Sequence, residues 1–180
     1  MKSDNMKICV MGAGSIGGYF GAKLAKSSHD VSFIARGEHL KAMKEKGLKI
    51  NSEVHEDFQI SVNATDDPKE VGPVDLVLFT VKAYDTEEAG KDIEPLIKED
   101  TTILSLQNGV DNEKILANMY GEDKVVGGVA YILAMIEEPG VISHRSIGRI
   151  EIGELDGKVT DRTNKIKDIF EDADIPCYIS

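Results

Sequence analysis

The chain has 180 residues, 41% of them hydrophobic and 29% charged, a balance that fits one globular domain with a real core and excludes a disordered chain. Lys and Arg number 21 against 32 Asp and Glu. The resulting net charge of −11 argues against a nucleic-acid partner, which needs basic residues in excess, and against an anionic membrane surface. No run of about 18 apolar residues is available to span a bilayer. The polar start, residues 1–5, reads as a flexible extension rather than a secretory leader, so a cytoplasmic location is expected.

Lys7–Met11 is a short apolar run ending at glycine, as expected for a strand covered on both faces. Gly17–Ser27 reads as a helix whose small residues suit close packing on a sheet, and Val31–Ala35 as a second strand, which completes a βαβ unit. Glu38–Lys46 is a helix stopped by Gly47. Leu48–Ile50 and Phe58–Val62 alternate apolar with polar residues and are expected to form an edge hairpin or an insertion. Val74–Val81 is the clearest buried strand. Asp85–Lys98 follows as a helix with acidic residues early and Lys98 late, as the helix dipole favours. Thr102–Leu106 is a strand, Asn112–Met119 a helix and Val125–Tyr131 a strand. Beyond the Pro139-Gly140 turn, Val141–Ser143 and Arg149–Ile152 are expected to pair antiparallel. Asp161–Asp172 is an amphipathic helix, and Ile175–Ile179 a last strand with no closing helix, which leads us to expect that more chain follows.

The turn Gly12-Ala13-Gly14-Ser15-Ile16-Gly17 lies between a strand and a helix inside that βαβ unit, the context in which a GxGxxG holds a dinucleotide pyrophosphate. Gly12 allows the tight turn, Gly14 lets the phosphates approach the backbone, and Gly17 brings the helix close to the strand. The whole reads as α/β: a Rossmann-type, mostly parallel sheet with helices on both faces, an edge hairpin and a short antiparallel C-terminal extension of the sheet. An acidic residue at the end of the second strand would bind the ribose hydroxyl of NAD. Ala35-Arg36-Gly37 stands there instead, so Arg36 either pairs with the 2′-phosphate of NADP(H) or is a solvated surface residue. Lys82 and Asn108 follow two further strands and so share the sheet edge of the glycine turn. There they bracket the nicotinamide ribose and a small anionic substrate, or are an ordinary strand end and turn.

Cys9 and Cys177 stand in apolar stretches without CxxC spacing and are expected to be buried, reduced thiols. The four histidines form no HxxxH pair, so no metal site is expected, and no GxSxG nucleophile motif is present.

Five stretches carry a more specific resemblance: residues 12–21, Ala35-Arg36-Gly37, Thr80-Val81-Lys82-Ala83-Tyr84, Gln107-Asn108-Gly109, and Pro139-Gly140-Val141-Ile142-Ser143-His144. Their order resembles the N-terminal, cofactor-binding domain of the ketopantoate reductases (2-dehydropantoate 2-reductases) from about Met6 to the last residue. The resemblance implies NADPH-dependent reduction of ketopantoate to pantoate, a step toward pantothenate and coenzyme A. It implies cofactor contacts at Gly12, Ala13, Gly14, Ser15, Ile16, Gly17, Arg36, Lys82, Asn108 and the backbone of Ala134, with Asn108 and Lys82 also touching a small 2-oxo acid. It places the family's proton-donor lysine in a helical C-terminal domain beyond Ser180. No catalytic acid is therefore expected in this chain, which should bind NADPH, turn over little ketopantoate and self-associate through an apolar face. A reductase of another 2-oxo acid, an opine- or glycerol-phosphate-type dehydrogenase, and a non-enzymatic NADP-binding regulatory module are the alternatives.

Overall fold

In the computed structural model, which describes residues 5–107 and 111–180, Lys7–Met11 forms the first strand (β1). Ile8 and Val10 enter one core and Cys9 and Met11 the other, so this strand is covered on both faces and carries no polar alternation. Ser15–Lys26 (α1) buries Tyr19, Phe20 and Leu24 on the first of these cores, and Asp30–Ile34 (β2) returns parallel to β1. Gly37–Lys46 (α2) ends at Gly47, whose φ of +80° a side-chain-bearing residue rarely adopts.

Leu48–Ser52 (β3) and Phe58–Ile60 (β4) pair antiparallel. The expected hairpin is therefore present, but as part of a separate sheet. Asn63–Thr65 (β5) then runs parallel to β2 and closes that edge of the main sheet. Leu76–Phe79 (β6) is buried throughout. The helix expected over 85–98 is shorter: Thr86–Asp92 (α3) gives way to a 3₁₀ turn at Glu94–Leu96, because Pro95 has no N–H to continue an α-helical ladder. Thr102–Ser105 (β7), Asn112–Tyr120 (α4) and Val125–Tyr131 (β8) complete the parallel half.

Ala134–Glu138 (β9) and Val141–His144 (β10) pair antiparallel across the Pro139-Gly140 turn. Val141–Ser143 does not pair with Arg149–Ile152, contrary to expectation. β10 lies parallel to β3 in the small sheet, while Arg149–Glu154 (β11) pairs antiparallel with β8 in the main one. Asp161–Asp172 (α5) begins at a reciprocal cap in which Thr160 Oγ1 accepts from Thr163 N–H and the Thr163 hydroxyl accepts from Thr160 N–H. Cys177–Ile179 (β12) runs parallel to β11.

Among the described residues the main sheet has the order β12-β11-β8-β7-β6-β1-β2-β5, and the small one β4-β3-β10-β9. Helices α1 and α5 and the small sheet cover one face of the main sheet, and α3 and α4 the other. The chain reverses its direction of travel at β1, passing first outward to β2 and later back to β6 on the opposite side. Such a switch point leaves a crevice beyond the carboxyl ends of the two inner strands. Among the described residues no helix is long and apolar enough to cross a membrane.

Candidate cofactor site at the strand ends

Beyond β1 the backbone turns at Gly12, with φ +99°, and a methyl group there would sit 2.9 Å from Val81 Cγ1. Thr80 reaches across from the end of β6, its hydroxyl donating to the Gly12 carbonyl at 2.7 Å. Ala13 N–H donates to Ile34 O at 3.0 Å and Gly14 N–H to Gly12 O at 2.8 Å. The turn is thus pinned to both neighbouring strands. At Gly17 a methyl would meet Thr80 Oγ1, the Gly12 carbonyl at 2.5 Å and Val10 Cγ1 at 2.8 Å, so the close helix–strand approach inferred for this glycine is present.

Gly14 differs from both. A methyl built on it meets nothing within 4 Å, so the space above its Cα is open. It is the N-cap of α1, whose first turn has no side-chain cap and no acidic residue. The N–H groups of Ser15, Ile16 and Gly17 belong to that first turn and lack intrahelical acceptors. Free donors, a positive helix end and an open approach are what a phosphate group requires, so the residues present fit a dinucleotide.

Arg36 follows β2 as the extended N-cap of α2 and is exposed, with no ion pair among the described residues. Lys82 follows β6, equally exposed, at the head of a 3₁₀ turn over Ala83–Asp85. Ala134 opens β9 shortly after the end of β8, half-buried opposite His144. Since β1, β2, β6 and β8 belong to one parallel array, all these positions leave the same edge of the sheet. Asn108 lies outside the described residues.

The groups that hold this edge in place have no role assigned from sequence. Gln107, buried just after β7, donates from Nε2 to Val81 O and to Thr86 Oγ1, each at 2.8 Å, and its Oε1 accepts from Ser105. The Thr86 hydroxyl lies 2.8 Å from Ala83 O and 3.1 Å from Asn112 Oδ1. The carbonyls on either side of Lys82 are therefore tied to a buried polar network. His39, in the first turn of α2, has Nε2 2.7 Å from Ala13 O and Nδ1 2.9 Å from Gly140 N. The available signal for it was its place in the helical turn next to Arg36, at the end of β2.

Two other histidines are structural. Met6 N–H donates to His29 Nδ1 at 3.0 Å. His144 is fully buried and stacks on Tyr19 with ring centroids 4.2 Å apart. Its Nδ1 accepts from Ser52 Oγ at 2.9 Å, since that oxygen already accepts the N–H groups of Val54 and His55. Burial, helped by His55 and Lys23, pushes the imidazole down to about 4. Cys9 and Cys177 are free and buried, and burial lifts both thiols to about 12, so neither is a nucleophile at neutral pH. Among the described residues no group of His, Cys, Asp or Glu is arranged to hold a metal.

A parallel sheet that reverses at β1, with a glycine turn and a bare helix N-terminus in the crevice, defines a nucleotide-binding α/β protein of Rossmann type. The family model described as Ketopantoate reductase PanE/ApbA matches residues 8–157, and the chain belongs to that family. It is 38% identical over 175 residues to the 2-dehydropantoate 2-reductase of Pyrococcus abyssi, an alignment covering 97% of this chain and 56% of that protein. The solved 2-dehydropantoate 2-reductase of Geobacter metallireducens superposes with a TM-score of 0.90 at 36% identity, over 96% of this chain and 57% of the other. A D-mandelate dehydrogenase in ternary structure with NADH and anilino(oxo)acetate gives a TM-score of 0.89 at 29% identity, over 97% and 57%. The chain spans about half the length of the relatives it matches.

Proposed function

We propose that this chain binds NADPH as the cofactor-binding half of a 2-dehydropantoate 2-reductase, in which ketopantoate is reduced to pantoate toward pantothenate and coenzyme A. The observation that carries the reading is the uncapped first turn of α1 beside the open space at Gly14, on the sheet edge that also presents Arg36 and Lys82. The family, and relatives that are 2-dehydropantoate 2-reductases, supply the substrate.

In this reading the Ser15, Ile16 and Gly17 N–H groups bind the pyrophosphate. Arg36 pairs with the 2′-phosphate, and no carboxylate occupies its place at the strand end to repel that group. Lys82 and Asn108 hold the nicotinamide ribose and the oxo acid, and the Ala134 backbone makes a further cofactor contact. Reduced nicotinamide, when bound, supplies the hydride. Lys82 places positive charge near the ketone oxygen, on which negative charge develops. The proton donor is assigned to a lysine beyond this chain, so the 180 residues alone bind cofactor with little turnover.

Titration of the chain with NADPH and NADH tests the cofactor assignment. NADPH should bind more tightly, and Arg36→Ala should bring the two affinities together. Equal affinities in the unaltered chain would reduce Arg36 to a surface residue. The solved neighbour with NADH and an oxo acid favours one second reading, an NADH-linked reductase of a different 2-oxo acid. Tighter binding of NADH, together with activity of the full-length enzyme on another member of an oxo-acid panel, would select it.

A further inference from the structure

His39 stands between the glycine turn and the small sheet, half-buried, and both of its ring nitrogens face backbone groups. Gly140 offers an N–H, which only donates, so Nδ1 is the acceptor of that 2.9 Å bond. The ring proton therefore sits on Nε2 and is donated to the Ala13 carbonyl at 2.7 Å. Ala13 is held from its other side by the bond from its own N–H to Ile34 O. With both in place, the peptide joining Ala13 to Gly14 has one orientation. Its oxygen is engaged by a donor and kept from any phosphate drawn to the α1 N-terminus. Without the imidazole that peptide is held only through its Gly14 N–H, which donates to Gly12 O at 2.8 Å, its carbonyl loses its donor, and an oxygen turned toward the phosphates would repel them.

We propose that His39 is a positioning residue for the dinucleotide. As a neutral ring protonated on Nε2, it fixes the Ala13 carbonyl and fastens the phosphate-binding turn to the β9–β10 turn at Gly140. The proposal rests on the dinucleotide reading of the site and adds to it a second sheet as a structural support. It also sets a dependence on pH. A second proton, placed on Nδ1, would oppose the Gly140 N–H donor and break the tie. The glycine turn itself brings no ionisable side chain to the ring. The charged residues along the adjoining groove are Glu38, Lys41, Glu45 and Lys46 of α2, Lys49 of β3 and Glu138 of β9, with Arg36 at the head of α2. They carry both signs. Burial is the larger influence on the ring and holds His39 below its ordinary value of 6.5 against the opposing pull of the Ala13 carbonyl. The tie is thus intact at neutral pH and is lost in acid, and cofactor affinity should be lost with it.

The test uses the 180-residue chain and NADPH, with affinity measured by fluorescence titration from pH 8 to pH 5 beside His39→Phe and His39→Gln. Phenylalanine keeps the ring and removes both nitrogens, while glutamine restores one donor and one acceptor. The phosphates of NADPH titrate identically in every case, so the difference between proteins is the readout. His39→Phe is expected to weaken binding about tenfold at pH 7.5, the scale of one peptide hydrogen bond, and to lack the extra loss in acid. His39→Gln should recover most of the affinity and also lack that loss. Wild-type affinity in folded His39→Phe at pH 7.5 overturns the proposal. Should that variant fail to fold, an acid loss in His39→Gln as steep as in the wild type overturns it instead. Failure of the unaltered chain to bind NADPH would refute the site reading itself.

Discussion

Gly14 and Gly17 lie three residues apart in the same turn, yet alanine should affect them in opposite ways. At Gly14 the backbone has φ −78° and a methyl meets nothing within 4 Å, so Gly14→Ala keeps the fold. Its cost is the poorer N-cap, roughly 0.5–1 kcal/mol. At Gly17 alanine gains about 1 kcal/mol of helix propensity. It also sets a methyl against the Gly12 carbonyl at 2.5 Å and Val10 Cγ1 at 2.8 Å, backbone and core atoms with no room to yield. Overpacking costs about 1–3 kcal/mol, and contact this close with backbone belongs at the upper end, which leaves a net loss of about 2 kcal/mol, above the cost at Gly14. Against a total stability on the order of 10 kcal/mol, urea unfolding separates the two variants. Binding should rank them differently. A phosphate oxygen hydrogen-bonded to first-turn N–H groups at about 2.9 Å needs the space that the Gly14 methyl would fill. NADPH affinity should therefore fall by about a hundredfold or more in Gly14→Ala while its unfolding midpoint barely moves. Wild-type affinity in this variant would mean that the pyrophosphate does not pass over Gly14, and the argument from open space would fail.

Acid should weaken the fold through His144. Its folded value lies near 4, below the unfolded 6.5, so the neutral ring stabilises the protein fully above pH 6.5 and the contribution is lost as pH falls toward 4. The difference corresponds to about 3 kcal/mol at most, and Tm measured across that range should fall more steeply in the wild type than in His144→Phe, which keeps the stack on Tyr19. Gln107→Leu removes the ties to Val81 O and Thr86 Oγ1 at little change in volume, for an expected loss of about 1–3 kcal/mol in urea unfolding. Hydrogen exchange should quicken around Lys82 in that variant, and unchanged protection there would contradict the positioning role given to Gln107.

Elements with a strong internal signal were legible from sequence. Lys7–Met11, Val125–Tyr131 and Asp161–Asp172 have the boundaries read from apolar runs and helical periodicity. β5 and β9 were not legible. Asn63-Ala64-Thr65 is three residues long, and Ala134–Glu138 is mostly exposed, so backbone pairing rather than a hydrophobic pattern makes them strands. The partner of β10 was misread because proximity in sequence favoured β11, whereas its partners are β9 and, from far upstream, β3. The expected ligand positions at Gly14, Arg36 and Lys82 stand at the ends of parallel strands, a rule that needs only the strand order. Thr80 and Gln107 stand in stretches that carry the family resemblance, yet they and His39 have no role legible in sequence, because that role depends on carbonyls that only the fold brings within reach.

The bond between Gly140 and His39 spans 101 residues of chain. β1, α1 and β2 lie within the first 34 residues and form a local unit early, while contacts of long sequence separation close late. During synthesis the glycine turn, and after it the Thr80 that pins it, are therefore made well before the β9–β10 turn that steadies its carbonyl. Affinity for the dinucleotide should be acquired in two stages, with the second waiting until most of the domain has been made.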